Sequence, residues 1–230
     1  AVANKAARVV VVSQVNTEGS ALVVAKKNWD IKTLTDLQGK TVAVPGHSTV
    51  QDFLLRRALR GNGMAPDQVN IIVLKPPEMI GALRTGQIDA FIAWEPYPSK
   101  ADTMSVGRNL ATSKEMWSGH PCCVLVSDQG FVDGHPEAVA AVVKSHVQAT
   151  DYIHRNPEEA VKIGIKYTGM DEATVRQAVQ NVTYTYELSI QGENEYVQFL
   201  TELGYIRLDN PDGFVDQFIN PGILKGILSK

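Results

Sequence analysis

Short apolar runs alternate with capped amphipathic segments through the first half of the chain, and no other feature limits the fold as much. The runs lie at residues 9–15, 21–25, 41–44, 70–74, 89–94 and 122–127. Each is close to continuously apolar, as strands covered on both faces are. The first holds four successive valines, Val9 to Val12, between Arg8 and Ser13. The segments between have readable helix ends. Ser48 or Thr49 can cap a helix to about Arg60, with Val50, Phe53, Leu54 and Ala58 on one face and Gly61 after it. Pro77 opens another that Gly86 ends. Strand–helix–strand order predicts an α/β domain with a mostly parallel sheet.

After Ser127 the pattern changes to helix after helix. One spans 136–155, with Val139, Val142, Val143, Val147, Thr150 and Ile153 as its apolar stripe. A second follows Asn156-Pro157 over 158–166, Asp171 caps a third, a fourth covers 191–203 before Gly204, and Asn210-Pro211 starts a last short turn. Lys and Arg number 22 against 25 Asp and Glu, a net charge of −3. With no basic stripe, nucleic acid is not an expected partner. No apolar stretch approaches the ~20 residues that span a bilayer. The two cysteines, Cys122 and Cys123, are adjacent. Neighbours in a strand point to opposite faces, so separate thiols without a mutual bond are expected.

Several motifs then carry a family resemblance. The run from Asp36-Leu37 through Gly39-Lys40 to Val42-Ala43-Val44, the element Ala82-Leu83-Arg84-Thr85-Gly86-Gln87-Ile88-Asp89-Ala90, and Trp94-Glu95-Pro96 occur in order. His135-Pro136-Glu137 and Asn156-Pro157-Glu158-Glu159-Ala160 follow. Together they resemble the type II periplasmic solute-binding proteins of ABC importers, in the nitrate/sulfonate/taurine and thiamine-precursor branch. The resemblance implies a two-lobed α/β fold, each lobe a mixed, mostly parallel sheet flanked by helices. The first lobe is expected at 1–26 and 122–230, without the family's N-terminal segment, and the second, inserted lobe at 27–121. Segments 21–26 and 122–127 should lie side by side at the hinge. With that segment absent, the valine-rich strand at 9–15 is expected to leave ladder groups and side chains uncovered, which invites self-association through the incomplete lobe.

The resemblance further implies a small oxyanion or organic sulfonate held in an interlobe cleft and delivered to a membrane permease. The protein would be periplasmic or a surface lipoprotein, with no cofactor, metal or catalysis of its own. The turn at 45–49 follows a strand and opens a helix. That edge faces the crevice of an open α/β sheet, and a helix N-terminus offers N–H groups and a favourable dipole to an anion. His47, Ser48 and Thr49 are therefore ligand candidates. Trp94 and Glu95, at the end of another strand, can wall the site and accept hydrogen bonds. Asn16 and Thr17, in the polar stretch 13–20, and His120, before the second crossing, complete the set. His146 lies on an apolar stripe and reads as a satisfied core residue.

Enzyme signals are weak. Gly46-x-Ser48 lacks the second glycine of a nucleophile elbow, Val50 standing there, and the five histidines show no tight metal spacing. An enzyme on the same scaffold, of pyrimidine-precursor or menaquinone-pathway type, is the alternative. An effector-binding domain of a regulator is a third reading, for which no helix-turn-helix is present.

Overall fold

The computed structural model describes residues 2–229 apart from Asn4 and Ala6. Ala1 and Lys230, the outer ends of the expected segments 1–26 and 122–230, lie outside the described residues. The chain divides into two compact units, one of Ala1–Thr17, Gly119–Pro157 and Thr183–Lys230, the other of Glu18–Ser118 and Glu158–Val182.

The second unit is built on a five-stranded sheet. Its strands are β2 (Ser20–Ala25), β3 (Thr41–Val44), β4 (Asn70–Val73), β5 (Ala90–Trp94) and β6 (Gly107–Thr112), in the order β4-β3-β5-β2-β6. Strand β3 runs parallel to β4 and β5, whereas β2 runs antiparallel to both β5 and β6. All six residues of β2 are buried. Ala21, Val23 and Ala25 pack with Phe91 and Ala93 beneath Met79, Leu83 and Ala101, which come from α2 (Pro76–Thr85) and α3 (Tyr97–Thr103). Leu22 and Val24 alternate to the opposite face and are fully buried. Helix α1 (Val50–Gly61) carries the buried Phe53, Leu54, Leu55 and Leu59. Gly86 ends α2 at φ 78°, a left-handed cap that suits glycine.

Helices α7 (Pro157–Thr168) and α8 (Glu172–Asn181) also belong to this unit beyond Pro157, which corrects the expected limits of 27–121. The reason is a polar seam along α3. Thr174 Oγ1 lies 2.7 Å from Thr103 Oγ1, Gln177 Nε2 donates to Asp102 Oδ2 at 3.2 Å, and Asn181 Nδ2 donates to Glu95 Oε1 at 2.7 Å. The buried Thr174, Val175 and Ala178 close the apolar part. Arg176 ties α8 to α7 through both oxygens of Glu158, at 2.6 and 2.9 Å.

The first unit contains a three-stranded sheet in the order β7-β1-β8, with β1 at Val9–Glu18, β7 at Pro121–Asp128 and β8 at Val182–Tyr184. Strands β1 and β7 are antiparallel, so the expectation of mostly parallel sheets fails here and holds only for the β4-β3-β5 part of the larger sheet. Segments 21–26 and 122–127 do not pair with each other: β2 pairs with β5 and β6, and β7 with β1. The chain leaves β1 for β2 through Glu18 and Gly19, both left-handed at φ 60° and 79°. The polar stretch 13–20 is therefore mostly strand rather than loop.

Val10, Val11 and Val12 of β1 are covered by helices of the same chain. Val10 and Val12 pack with Val139, Val143 and Val147 of α6 (Pro136–Arg155), with Val132 of α5 (Gln129–Gly134) and with Leu224 of α11 (Gly222–Leu228). Val11 faces Val197 of α9 (Ile190–Glu202) and Val215 of α10 (Pro211–Phe218). Its carbonyl accepts from Asn220 N at 2.8 Å. The exposure expected to drive self-association is thus absent from these valines. Val142, placed on the buried stripe of α6, is instead 56% exposed. Strands β6 and β8 and helices α3, α5, α11 and the short α4 (Ser113–Met116) were not anticipated. Among the described residues no helix is long and apolar enough to cross a membrane.

Gly107 marks the tightest approach in the larger sheet. A Cβ there would collide with Val23 Cγ1 and stand 3.2 Å from Ala101 Cβ and 3.3 Å from Leu83 Cδ2. Gly107→Ala is expected to lower unfolding free energy by about 1–3 kcal/mol, read by urea denaturation. A change within error would mean that α3 and β2 can separate without cost.

Candidate functional site

The strand directions of the five-stranded sheet collect several chain ends at one edge. Val42 and Ala43 of β3 stand beside Ala90 and Phe91 of the parallel β5. Antiparallel β2 sets Ser20 opposite Trp94 of β5 and Ala21 opposite Thr112 of β6. The carboxyl ends of β3, β5 and β6 and the amino end of β2 therefore share that edge, where open α/β sheets bind ligands. Five of the candidate residues, His47, Ser48, Thr49, Trp94 and Glu95, lie on it.

The turn after β3 is held by its own side chains. Thr49 is the N-cap of α1: its hydroxyl donates to Gly46 O at 2.8 Å and accepts from Asp52 N at 3.3 Å. Asp52, fully buried, reaches back to accept from Ser48 N at 3.0 Å and takes Arg56 Nε at 2.8 Å on its other oxygen. Ser48 is left-handed at φ 61°. The carboxylate of Asp52 thus already occupies part of the positive end of the helix, where an anion is otherwise favoured. Ser48 N, ahead of the cap, and Asp52 N in the first turn are thus already bonded within the turn. Thr49-x-x-Asp52 is a capping signature, and it was legible in the sequence. What the turn presents outward is His47 and Ser48, both exposed.

Trp94 is 38% exposed and meets Tyr97 edge-on, with 6.4 Å between ring centroids. It stands at the sheet edge rather than in the core. Glu95 turns into α3 and α8: Oε2 accepts from Ser99 N at 3.2 Å and Oε1 from Asn181 Nδ2. Burial raises its pKa above the usual carboxylate value, against the lowering effect of the bonds from Asn181 and Ser99. Beside these lies a buried polar chain that sequence reading missed. Gln51 Nε2 donates to Ser20 Oγ, and Ser20 N donates to Ser113 Oγ, each at 3.1 Å. Single Ser and Gln residues in apolar surroundings give no periodic signal, so nothing in the sequence marked them.

Asn16, Thr17 and His120 belong to the other unit. Asn16 is buried in β1 opposite Cys123, and half-buried Thr17 stands opposite Pro121. His120 is fully buried, with Nδ1 3.0 Å from the carbonyl of Pro121, which it can only reach as a donor. His146, read as a satisfied core residue, lies with Nε2 2.7 Å from Gln14 O. Among the described residues no three His, Cys, Asp or Glu side chains converge as metal ligands.

Comparison with known proteins adds a family. The model of the NMT1-like family matches residues 1–165. The taurine-binding periplasmic protein of Escherichia coli is 34% identical over 172 residues, which is 71% of this chain and 52% of that protein. The chain spans about half or less of the length of curated relatives that it matches. The periplasmic nitrate-binding protein NrtA of Synechocystis superposes with a TM-score of 0.84 at 17% identity, over 96% of this chain and 67% of that one. The desulfurization enzyme DSZB shares the fold at a TM-score of 0.74 and 15% identity, over 96% and 79%. The α/β fold is therefore that of type II periplasmic binding proteins, with mixed sheets.

Asp52 is the group on which this edge turns. Asp52→Ala leaves Arg56 and Ser48 N without their acceptor and should cost about 3 kcal/mol, as loss of one partner of a buried pair does. Thermal unfolding of the variant reads this, and an unchanged melting temperature would contradict it.

Proposed function

This chain belongs to the NMT1-like family, and from that premise we propose that it is substrate-binding protein of an ABC importer of the nitrate/sulfonate/taurine type. It captures a small oxyanion or organic sulfonate and hands it to a membrane permease, in the periplasm or as a surface lipoprotein. The observation that carries the proposal is the shared edge of β3 and β5, where exposed His47 and Ser48 stand on the same side of one sheet as Trp94. With the carboxylate of Asp52 on Ser48 N, the anion is held by hydroxyl and imidazole groups rather than by the bare helix start. Thr49 fixes the turn, and Trp94 packs against an alkyl portion. Glu95 keeps lone pairs beyond its two bonds and can accept one more from a ligand ammonium, which suits an aminosulfonate better than nitrate. Asn16, Thr17 and His120 stay ligand candidates on the family resemblance alone.

An enzyme on this fold is the second reading, because a desulfurization enzyme shares it. Turnover of alkanesulfonates by the purified protein would decide for it.

Calorimetry on the full-length protein with nitrate, taurine and short alkanesulfonates tests the proposal. The double substitution Ser48→Ala with Thr49→Ala should weaken the preferred ligand by about 1–3 kcal/mol, the scale of lost hydrogen bonds to a charged group. Equal affinity for all three ligands in wild type and variant would remove this turn from the site.

A further inference from the structure

Cys122 and Cys123 do not sit as a regular strand would place them. Along β7, Pro121 is opposite Thr17 and Cys123 opposite Asn16, so two steps on β7 match one on β1 and Cys122 is the extra residue of a bulge. The disturbance continues on β1, where Gln14 is opposite Val124 and Val15 is passed over. The buried side chain of Gln14 repairs the ladder, its Nε2 donating to Cys123 O at 2.8 Å and to Asn16 O at 3.0 Å. A bulge re-aims side chains. Here it falls at Cys122-Cys123, so that the two thiols no longer alternate to opposite faces and Cys122 can donate to Cys123. Cys122 is half-buried and Cys123 exposed, on a strand at the sheet's edge, so reagents reach the pair. Both cysteines are free thiols, as expected.

We infer that Cys122 and Cys123 form one bidentate dithiol site for a soft, thiophilic electrophile of the trivalent arsenical class. Soft thiolate ligands select soft centres, and two sulfurs held together raise affinity by the effective concentration of the second. With an organoarsenic(III) oxide, two As–S bonds form, the two thiol protons leave with the arsenic-bound oxygen as one water, and no electron is transferred. The bond from Cys122 also lowers the Cys123 thiol to about pKa 7, so thiolate is plentiful at neutral pH.

The test adds phenylarsine oxide to the reduced full-length protein. Intact mass should show one arsenical per chain, with both thiols protected from iodoacetamide until a 1,2-dithiol strips it. Cys122→Ser and Cys123→Ser should each weaken binding at least about a hundredfold. In Cys122→Ala, which removes the donor, the pH midpoint for alkylating Cys123 should move above about 7. No adduct, two arsenicals per chain, or wild-type affinity in either variant would overturn the inference. Protection of the wild-type thiols can be read without any substitution.

Discussion

Strand β5 must be paired on both sides and covered on both faces, and much of the second unit follows from meeting that demand. Its residues Ala90 to Ala93 are fully buried, so each unpaired N–H or C=O would cost free energy on the scale of a lost hydrogen bond. Parallel β3 satisfies one side and antiparallel β2 the other. Because those partners run in opposite directions, the carboxyl ends of β3 and β5 and the amino end of β2 meet at one edge. The polar residues there are gathered by this pairing and not by sequence proximity: Ser20, Ser48, Trp94 and Ser113 are far apart along the chain.

Electrostatics at that edge temper the simplest view of helix-start anion binding. A buried carboxylate on Ser48 N shares the favourable end of α1 with any incoming anion. The cap fixes the turn that carries the Ser48 and Thr49 hydroxyls, so an anion at the proposed site would meet groups already held in place.

Much of the fold was legible because the helices carry local signals. Helix α6 ran from Pro136 to Arg155 as read, Asp171 capped α8, and Gly204 followed α9 at φ 74°. Strand β3 matched its expected limits. What could not be read was long-range. Strand β6 has Arg108 and Asn109 among few apolar residues and lies at an edge, so period-2 patterning is faint. The seating of α8 on α3 depends on Thr103, Asp102 and Glu95 meeting Thr174, Gln177 and Asn181 across more than seventy residues. At the candidate site, the residue types and their edge were readable, but the back-bonding of Asp52 and the bulge at Cys122 were not weighed.

The units are discontinuous in sequence: the chain passes between them at 17/18, 118/119, 157/158 and 182/183, four times in all. Neither unit is therefore a translatable module. The sheet of the second unit can pair by Ser118, but α8 reaches its place on α3 only after Val182 has emerged from the ribosome. The first unit waits longer still, because β1 is covered partly by α10 and α11, which are made long after it. Nascent β1 spends that interval without those partners, a period in which a four-valine strand is open to contact with other chains.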